Sequence, residues 1–417
     1  MNKNQKVVKK NLQCRMCKGT NLKLFLDLGK TALANSFLKK EDLKGKELFV
    51  PLRVYFCQDC NLAQLTDIVS PSVLFRDYVY FSSGMPVLPQ HFKDYADEVV
   101  KRFVTSNKDL VVEIGSNDGI LLKAIKERGA QILGVDPAVN IAKIANERGI
   151  ETIPEFFSLE LAKKIKKKYG NAKAIIGNNV VAHINNHHDL LKAVKYLLSD
   201  DGVFIFEAPY LVDMFENLTF DTVYHEHLSY LALKPLSKMF EKFGMEIFDA
   251  KIFPVQGNSL RTYVGKKGMH KILPEVKKLI QKEQKMKLHQ FSTYLKLANE
   301  VNQTKKKVMQ ILDKLKKEGK KIAGYGAPAK GNTLLHFYGI GSDILDYATE
   351  GLPSKIGLYT PGTHIPVIDI VEARKNPPDY YLMLAWNYKK AILEKEEDYI
   401  KKGGKFIVPV GRKVEII

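Results

Sequence analysis

Tyr224-His225-Glu226-His227 sets four side chains that can move protons or hold polar ligands in an unbroken run. An imidazole with an ordinary pKa near ~6.5 is matched to proton transfer at neutral pH, so the run suits general acid–base chemistry. His, Glu and His are also metal ligands, and a polar run that ends a loop can be solvated surface. Alone, the run leaves all three readings open. On an extended segment alternate side chains share a face, so His225 and His227 would point one way and Tyr224 and Glu226 the other. The chain must turn there if Tyr224 and His227 are to reach one ligand.

All the cysteines fall in two pairs, Cys14-Arg15-Met16-Cys17 and Cys57-Gln58-Asp59-Cys60. Two such knuckles offer four thiolates to a tetrahedral ion at ~2.3 Å, the pattern of a closed structural zinc site. With sulfur in every position no opening remains for water or substrate, so Zn2+ here would hold a fold and do no chemistry. It would also take up every thiolate, leaving no cysteine nucleophile. The lysine-rich N-terminus is not followed by the apolar stretch of a secretory signal, which points to a cytoplasmic chain without disulfides.

The elements that must position these groups follow from patterning. At 417 residues the chain is too long for one core, so several domains are expected. No run approaches the ~18–20 uninterrupted apolar residues of a membrane span, and no membrane partner is expected. The net charge of +19 is spread as lysines over helical stretches. Without a compact arginine and aromatic patch it argues for attraction of an anionic substrate, and no nucleic acid is expected. Residues 1–75 read as a zinc module too poor in apolar side chains to fold without its metal. Residues 76–90, with Tyr78, Tyr80 and Ser82, read as a lid or linker. Over 91–268, apolar runs at 110–114, 131–135, 174–177 and 203–206 alternate with amphipathic helices such as 121–128 and 141–148. That alternation predicts an α/β domain with a parallel sheet covered on both faces. Runs at 245–252 and 259–264 predict an antiparallel pair at its end. A helical connector follows over 269–320. Residues 321–417, with strands expected at 322–325, 347–349, 380–384 and 405–408, make a second, smaller α/β domain.

The loop Val111-Val112-Glu113-Ile114-Gly115-Ser116-Asn117-Asp118-Gly119 sets an acid near a strand end and two glycines around a tight turn into a helix. Glycine there permits positive φ and lets a ligand approach amides at a helix N-terminus. Asp136, at the end of the next strand, is placed to bind both hydroxyls of a ribose. NAD and S-adenosylmethionine both use this arrangement. The dinucleotide pattern Gly-x-Gly-x-x-Gly begun at Gly115 fails at Asn117 and Ile120, whereas Glu113 fits the acidic position of methyltransferase loops, so the loop favours S-adenosylmethionine. Asn178, Asn179 and His183 follow the fourth strand, where a methyltransferase lines its methyl-donor pocket; a helix cap with a surface histidine is the plain alternative.

Together these segments resemble the nucleotide-sugar C-methyltransferases of deoxysugar biosynthesis, of the TDP-sugar C-3 methyltransferase type, over nearly the whole chain. The resemblance is carried by the paired Cys-x-x-Cys module, Tyr78 to Ser82, the Glu113–Gly119 loop, the tetrad and Ser259-Leu260-Arg261. It continues through Gly324-Tyr325-Gly326-Ala327-Pro328-Ala329-Lys330-Gly331 and Tyr359-Thr360-Pro361-Gly362-Thr363-His364. It implies a class I, Rossmann-like methyltransferase sheet between a zinc module and a C-terminal Rossmann-like domain that binds a nucleotide-diphosphate sugar. By position, His227 matches the general base, with Tyr224, Glu226, His183 and Tyr78 lining the sugar site. Glu113, Gly115, Asn117, Gly119, Asp136, Asn178 and Asn179 match the cofactor site. Tyr80, Ser82, Arg261, Gly326, Lys330 and Asn332 match substrate contacts, with Lys330 near the nucleotide or its phosphates. The zinc ligands are Cys14, Cys17, Cys57 and Cys60.

The implied reaction is methylation of a 4-keto deoxysugar at carbon 3, through an enolate made by His227. An O- or N-methyltransferase of a related nucleotide sugar would use the same loop and base without needing a ketone. A methyltransferase that binds RNA is the reading from another class.

Overall fold

The computed structural model describes residues 7–76, 82–84, 88–255 and 257–417, so Tyr78 and Tyr80 lie outside the described residues. The chain gathers into two compact units, neither continuous. One comprises Met1–Lys23, Phe56–Leu211 and Leu228–Gln290; the other comprises Leu24–Tyr55, Val212–His227 and Phe291–Ile417.

The first unit is built on seven strands: β1 (Leu110–Ile114), β2 (Gln131–Val135), β3 (Thr152–Ile153), β4 (Ala172–Asn178), β5 (Leu198–Pro209), β6 (Met245–Phe253) and β7 (Ser259–Lys266). They lie in the order β6-β7-β5-β4-β1-β2-β3. The first five pair in parallel, while β7 runs antiparallel to both β5 and β6. All of β1 is buried, as a strand covered on both faces requires, and Glu113 is its one polar residue. Helix α1 (Leu88–Phe103) buries Phe92, Tyr95, Ala96, Val99 and Phe103, a helical stripe that packs with Val111, Ile176 and Ile205 of the sheet. Helices α2 (Ile120–Glu127), α3 (Val139–Glu147), α4 (Leu159–Tyr169), α5 (His187–Leu197), α6 (Leu233–Lys242) and α7 (Pro274–Lys285) belong to the same unit. The strand order reverses between β1 and β4, and the carboxyl ends of strands at such a switch open a ligand crevice.

The second unit carries a six-stranded sheet: β8 (Ile322–Tyr325), β9 (Ala348–Glu350), β10 (Val367–Asp369), β11 (Tyr380–Met383), β12 (Lys405–Val408) and β13 (Glu415–Ile416), in the order β10-β9-β8-β11-β12-β13. All neighbours are parallel except β12 and β13. Its long helix is α8 (Phe291–Lys317), and α9 (Ala329–Tyr338) follows β8.

The strands expected over 110–114, 131–135, 322–325 and 405–408 match the observed bounds. β5 runs through Asp200 and Asp201, whose charge hides the strand from an apolar count. The expected connector is two helices, α7 and α8, one in each unit. Residues 24–55 group with the C-terminal half, so a continuous module over 1–75 is not how the compact units divide. Leu38 and Tyr359 exchange backbone hydrogen bonds of 3.0 and 2.8 Å, Asn332 Nδ2 donates to the Ala34 carbonyl at 2.7 Å, and Gly362 N donates to Glu47 Oε2 at 2.7 Å. Ties across such sequence distance leave no local pattern. No helix of the described residues is long and apolar enough to cross a membrane.

Candidate active site and metal centre

Each Cys-x-x-Cys turn closes in the same way. Lys18 N donates to the Cys14 carbonyl and Asn61 N to the Cys57 carbonyl, at 2.9 and 2.8 Å, with Lys18 and Asn61 in the left-handed region at φ 67° and 71°. The four sulfurs lie within 4.8 Å of one another, with Cys14–Cys60 at 3.5 Å and Cys17–Cys57 at 3.6 Å. A tetrahedron of ~2.3 Å zinc–sulfur bonds has edges of about 3.8 Å, so the set fits zinc. Thiolates this crowded need a cation among them.

In the first unit the crevice at the ends of β1 and β4 holds the cofactor-type loop. Gly115 has φ +66°, and a Cβ there would sit 2.3 Å from Val180 Cγ2, so only glycine fits. Asn117 follows at φ 48°, a conformation asparagine tolerates better than most residues. The amides of Asn117 and Ala138 each donate to one oxygen of Asp136 at 2.8 Å, which aims that carboxylate and leaves it acceptor capacity for hydroxyls. Glu113 is 3% exposed and takes a 3.3 Å hydrogen bond from Asn178 Nδ2. Among the described residues its Oε2 and Asn178 Oδ1 are buried without a partner, as is Asp118 Oδ1. Burial pushes the Glu113 carboxyl well above the usual range, and Asp136 and Asp118 add to the rise against the pull of Asn178. Buried acceptors without donors call for a ligand that brings donors and positive charge. S-adenosylmethionine, with its ammonium, sulfonium and ribose hydroxyls, fits that set. Asn179 adopts φ 54° and its amide donates to the Glu207 carbonyl at 2.8 Å, while the His183 ring stacks on Phe75 at 5.6 Å. Ser82 N donates to Asn117 Oδ1 at 2.8 Å, which ties that residue of the 76–90 segment to the loop.

In the second unit the tetrad does turn. His227 N donates to the Tyr224 carbonyl at 2.9 Å, which brings the Tyr224 and His227 rings to 4.0 Å between centroids. His227 Nδ1 donates to the Thr222 carbonyl at 2.8 Å. A carbonyl can only accept, so Nδ1 holds the ring's proton and Nε2 its lone pair. Burial pushes the His227 pKa down to about 4, with the Thr222 carbonyl working against that fall, so the ordinary value expected for the base is corrected. His225, 1% exposed, pairs through Nε2 with the Val50 carbonyl at 3.2 Å. Glu226 Oε1 accepts from Asn35 Nδ2 at 2.6 Å.

The other expected substrate contacts divide. Gly326 has φ +83°, its amide donates to Thr349 Oγ1 at 3.1 Å, and α9 starts three residues on. The Lys330 ammonium lies 3.8 Å from the Trp386 ring centroid, and burial pushes its pKa down to about 8 while Asp221 and Asp213 pull it up. Trp386 Nε1 donates to Asp221 Oδ2 at 2.6 Å. Asn332 is spent on Ala34, so it supports the Asn35 loop rather than a ligand. Arg261 is corrected outright. It is 1% exposed, with Nε 2.5 Å from Glu207 Oε1, NH1 2.8 Å from Glu98 Oε2, and its guanidinium 3.4 Å from the Tyr95 ring centroid. Those partners commit it to holding β7 to β5 and α1. Sequence reasoning missed Asn35, Thr222, Asp221, Trp386 and Lys355. Lys355 Nζ donates to the Ala327 carbonyl at 2.9 Å beside Glu350, and burial lowers its pKa against the pull of Glu350 and Glu226. Isolated Asn, Thr and Lys residues give no local signal.

Family models match three stretches: "Putative zinc binding domain" over residues 14–75, "Methyltransferase domain" over 90–250 and "C-methyltransferase C-terminal domain" over 254–411. Over 407 residues, 97% of each chain, the sequence is 36% identical to the C-methyltransferase NovU of Streptomyces niveus. Among solved structures, a SAM-dependent methyltransferase from Archaeoglobus fulgidus aligns over 43% of this chain and 94% of its own, at 16% identity and TM-score 0.35. The magnesium protoporphyrin IX methyltransferase ChlM of Synechocystis, solved with bound SAH, aligns over 42% and 82%, at 13% identity and TM-score 0.33. The chain belongs to the C-methyltransferase family and is an S-adenosylmethionine-dependent enzyme with a class I Rossmann-like methyltransferase fold, a zinc-binding N-terminal region and a C-terminal domain.

Proposed function

We propose that the chain methylates carbon 3 of a nucleotide-linked 4-keto deoxysugar, with His227 as the base. The carrying observation is the hydrogen bond from His227 Nδ1 to the Thr222 carbonyl, which sets the lone pair on Nε2. When bound, S-adenosylmethionine supplies an electrophilic sulfonium methyl. Glu113, Asp118 and Asp136 hold its positive charge and hydroxyls, with Gly115, Asn117, Gly119, Asn178 and Asn179 shaping the loop around it.

A saturated C–H is too weak an acid for any side chain, and a neighbouring ketone makes it removable. His227 Nε2 takes the proton from carbon 3, and the electron pair of that C–H bond passes into the enolate. Tyr224, brought against the His227 ring by the turn, donates to the enolate oxygen. Glu226, steadied by Asn35, holds a hydroxyl or amine of the sugar. Lys330, Lys355 and the Gly326 turn ahead of α9 form a cationic region suited to the diphosphate. With a pKa near 4, His227 is a modest base that is fully neutral at pH 7, so positioning must supply much of the rate.

The test is incubation of the protein and S-adenosylmethionine with a panel of nucleotide-linked 4-keto sugars. The expected product gains the mass of one CH2 on carbon 3. In heavy water without the methyl donor, the sugar should take up deuterium at carbon 3 only when His227 is present. Exchange that persists in His227→Ala removes that residue from the role, and methylation of an oxygen or nitrogen refutes the carbon assignment.

A further inference from the structure

The two residues between the first pair of cysteines do more than space them. Arg15 is 1% exposed, and its guanidinium is held by acceptors outside the knuckle. NH1 donates to Gln64 Oε1 at 3.1 Å and to the Leu228 carbonyl at 2.5 Å, and NH2 donates to the Leu65 carbonyl at 2.8 Å. The Arg15 amide also donates to Gln64 Oε1, at 3.1 Å. Met16 offers its carbonyl to His188 Nε2 at 2.6 Å, on the first turn of α5. The acceptors of Arg15 belong to one short strand pair, in which Gln64 and Ala63 lie antiparallel to Ser229 and Tyr230. Leu65 N donates to the Leu228 carbonyl too, at 3.0 Å. Leu228 is the residue directly after His227.

A buried guanidinium is costly unless its donors and its charge are answered. Here the NH1 and NH2 donors end on two carbonyls and a side-chain amide, while Nε finds no acceptor among the described residues. A closed four-thiolate zinc site carries net negative charge, and Arg15, bonded to Cys14 in the chain, is the cation beside it. Metal, knuckle and strand pair therefore stabilise one another. The planar fork matters, because a lysine ammonium could not keep three acceptors on two strands in one plane.

We propose that Arg15 is a positioning residue for methyl transfer: held by the zinc knuckle, it fixes the chain at Leu228 and so sets where the preceding His227 can stand. Zinc then governs turnover without touching any reacting atom. The inference rests on His227 as the base.

The test compares Arg15→Lys with wild type in the full chain. Four quantities are read: zinc per chain by elemental analysis, S-adenosylmethionine affinity by calorimetry, kcat and KM on whichever panel sugar the wild type methylates, and amide hydrogen exchange along residues 222–231. Zinc content and S-adenosylmethionine affinity should stay at wild-type values. Exchange should quicken at Leu228, Ser229 and Tyr230 and not in β1 or β4, and kcat should fall by tenfold or more, since a misplacement of about 1 Å at a reacting centre costs on the order of 10²-fold. Wild-type kcat with zinc retained overturns the proposal, and so does a lower kcat with unchanged exchange at those three amides. If Arg15→Lys loses its zinc, Gln64→Met leaves all four cysteines and Arg15 in place while removing a shared acceptor. The same local exchange and a smaller fall in kcat are then expected, and wild-type behaviour of that variant overturns the proposal. The exchange pattern does not depend on which side chain takes the proton. His227→Ala retaining activity would therefore end the base assignment, while the Arg15 result is still read from exchange and kcat.

Discussion

The crevice at the ends of β1 and β4 and the turn at Tyr224–His227 are built on opposite principles. In the crevice, backbone geometry is the demanding part: Gly115 and Gly119 occupy positive φ, and Cβ atoms there would lie 2.3 Å from Val180 and 2.8 Å from Ile150. Its acids keep buried oxygens without partners among the described residues, at Glu113 and Asp118. In the turn, the residue types carry the chemistry and protein groups orient them: Thr222 for His227, Asn35 for Glu226, Val50 for His225. A site left unsatisfied awaits a ligand that completes it, and a site with oriented side chains is prepared to move a proton. The difference is the one expected if the crevice binds and the turn reacts, as proposed above.

That division breaks most visibly at its largest effect. His227→Ala should lower turnover by ~10²-fold or more while S-adenosylmethionine affinity, measured by calorimetry, stays at the wild-type value. A parallel loss of affinity would show that the two regions are not separable. Gly115→Val tests the converse. Forcing a β-branched residue into φ +66° costs about 1–3 kcal/mol of backbone strain, so affinity should drop by roughly tenfold or more with zinc content unchanged. Asn35→Ala is smaller: losing a hydrogen bond to a carboxylate is worth about 1.5–3 kcal/mol, so the KM for the sugar should rise clearly with S-adenosylmethionine affinity intact. The finest test is the pH profile. A buried histidine disfavours its charged form, so the neutral base persists down to about pH 4, and kcat/KM should not fall on the acid side until well below the ~6.5 of an ordinary imidazole. An acid limb centred at 6.5 would show the ring to be better solvated than its 8% exposure implies.

The crevice was largely legible in the sequence, because a strand, a tight turn and a helix are consecutive and each leaves a local mark. Glu113, Gly115, Gly119 and Asp136 stand within one β-α-β run, and the apolar strands around them set their register. The four cysteines were legible for the same reason, since a knuckle is four residues long. The tetrad was legible only as a list of side chains. What orients it comes from Asn35, Val50 and Thr222, and no periodicity joins residue 35 to residue 226. Arg261 misled for a related reason. An arginine reads as a ligand contact from its chemistry, but its cross-strand partner Glu207 and the Tyr95 ring become neighbours only when the sheet and α1 assemble. The grouping of Leu24–Tyr55 with the C-terminal half escaped the sequence in the same way, because it rests on pairings such as Leu38 with Tyr359.

Trp386 is the chain's single tryptophan. Its indole faces the Lys330 ammonium, and its N–H ends on Asp221, three residues ahead of Tyr224. Indole emission responds to charges placed against the ring and its nitrogen, so the protein carries a built-in optical reporter at this spot. A ligand that draws Lys330 away would be visible as a change in intrinsic fluorescence, without a label and without any methyl being transferred.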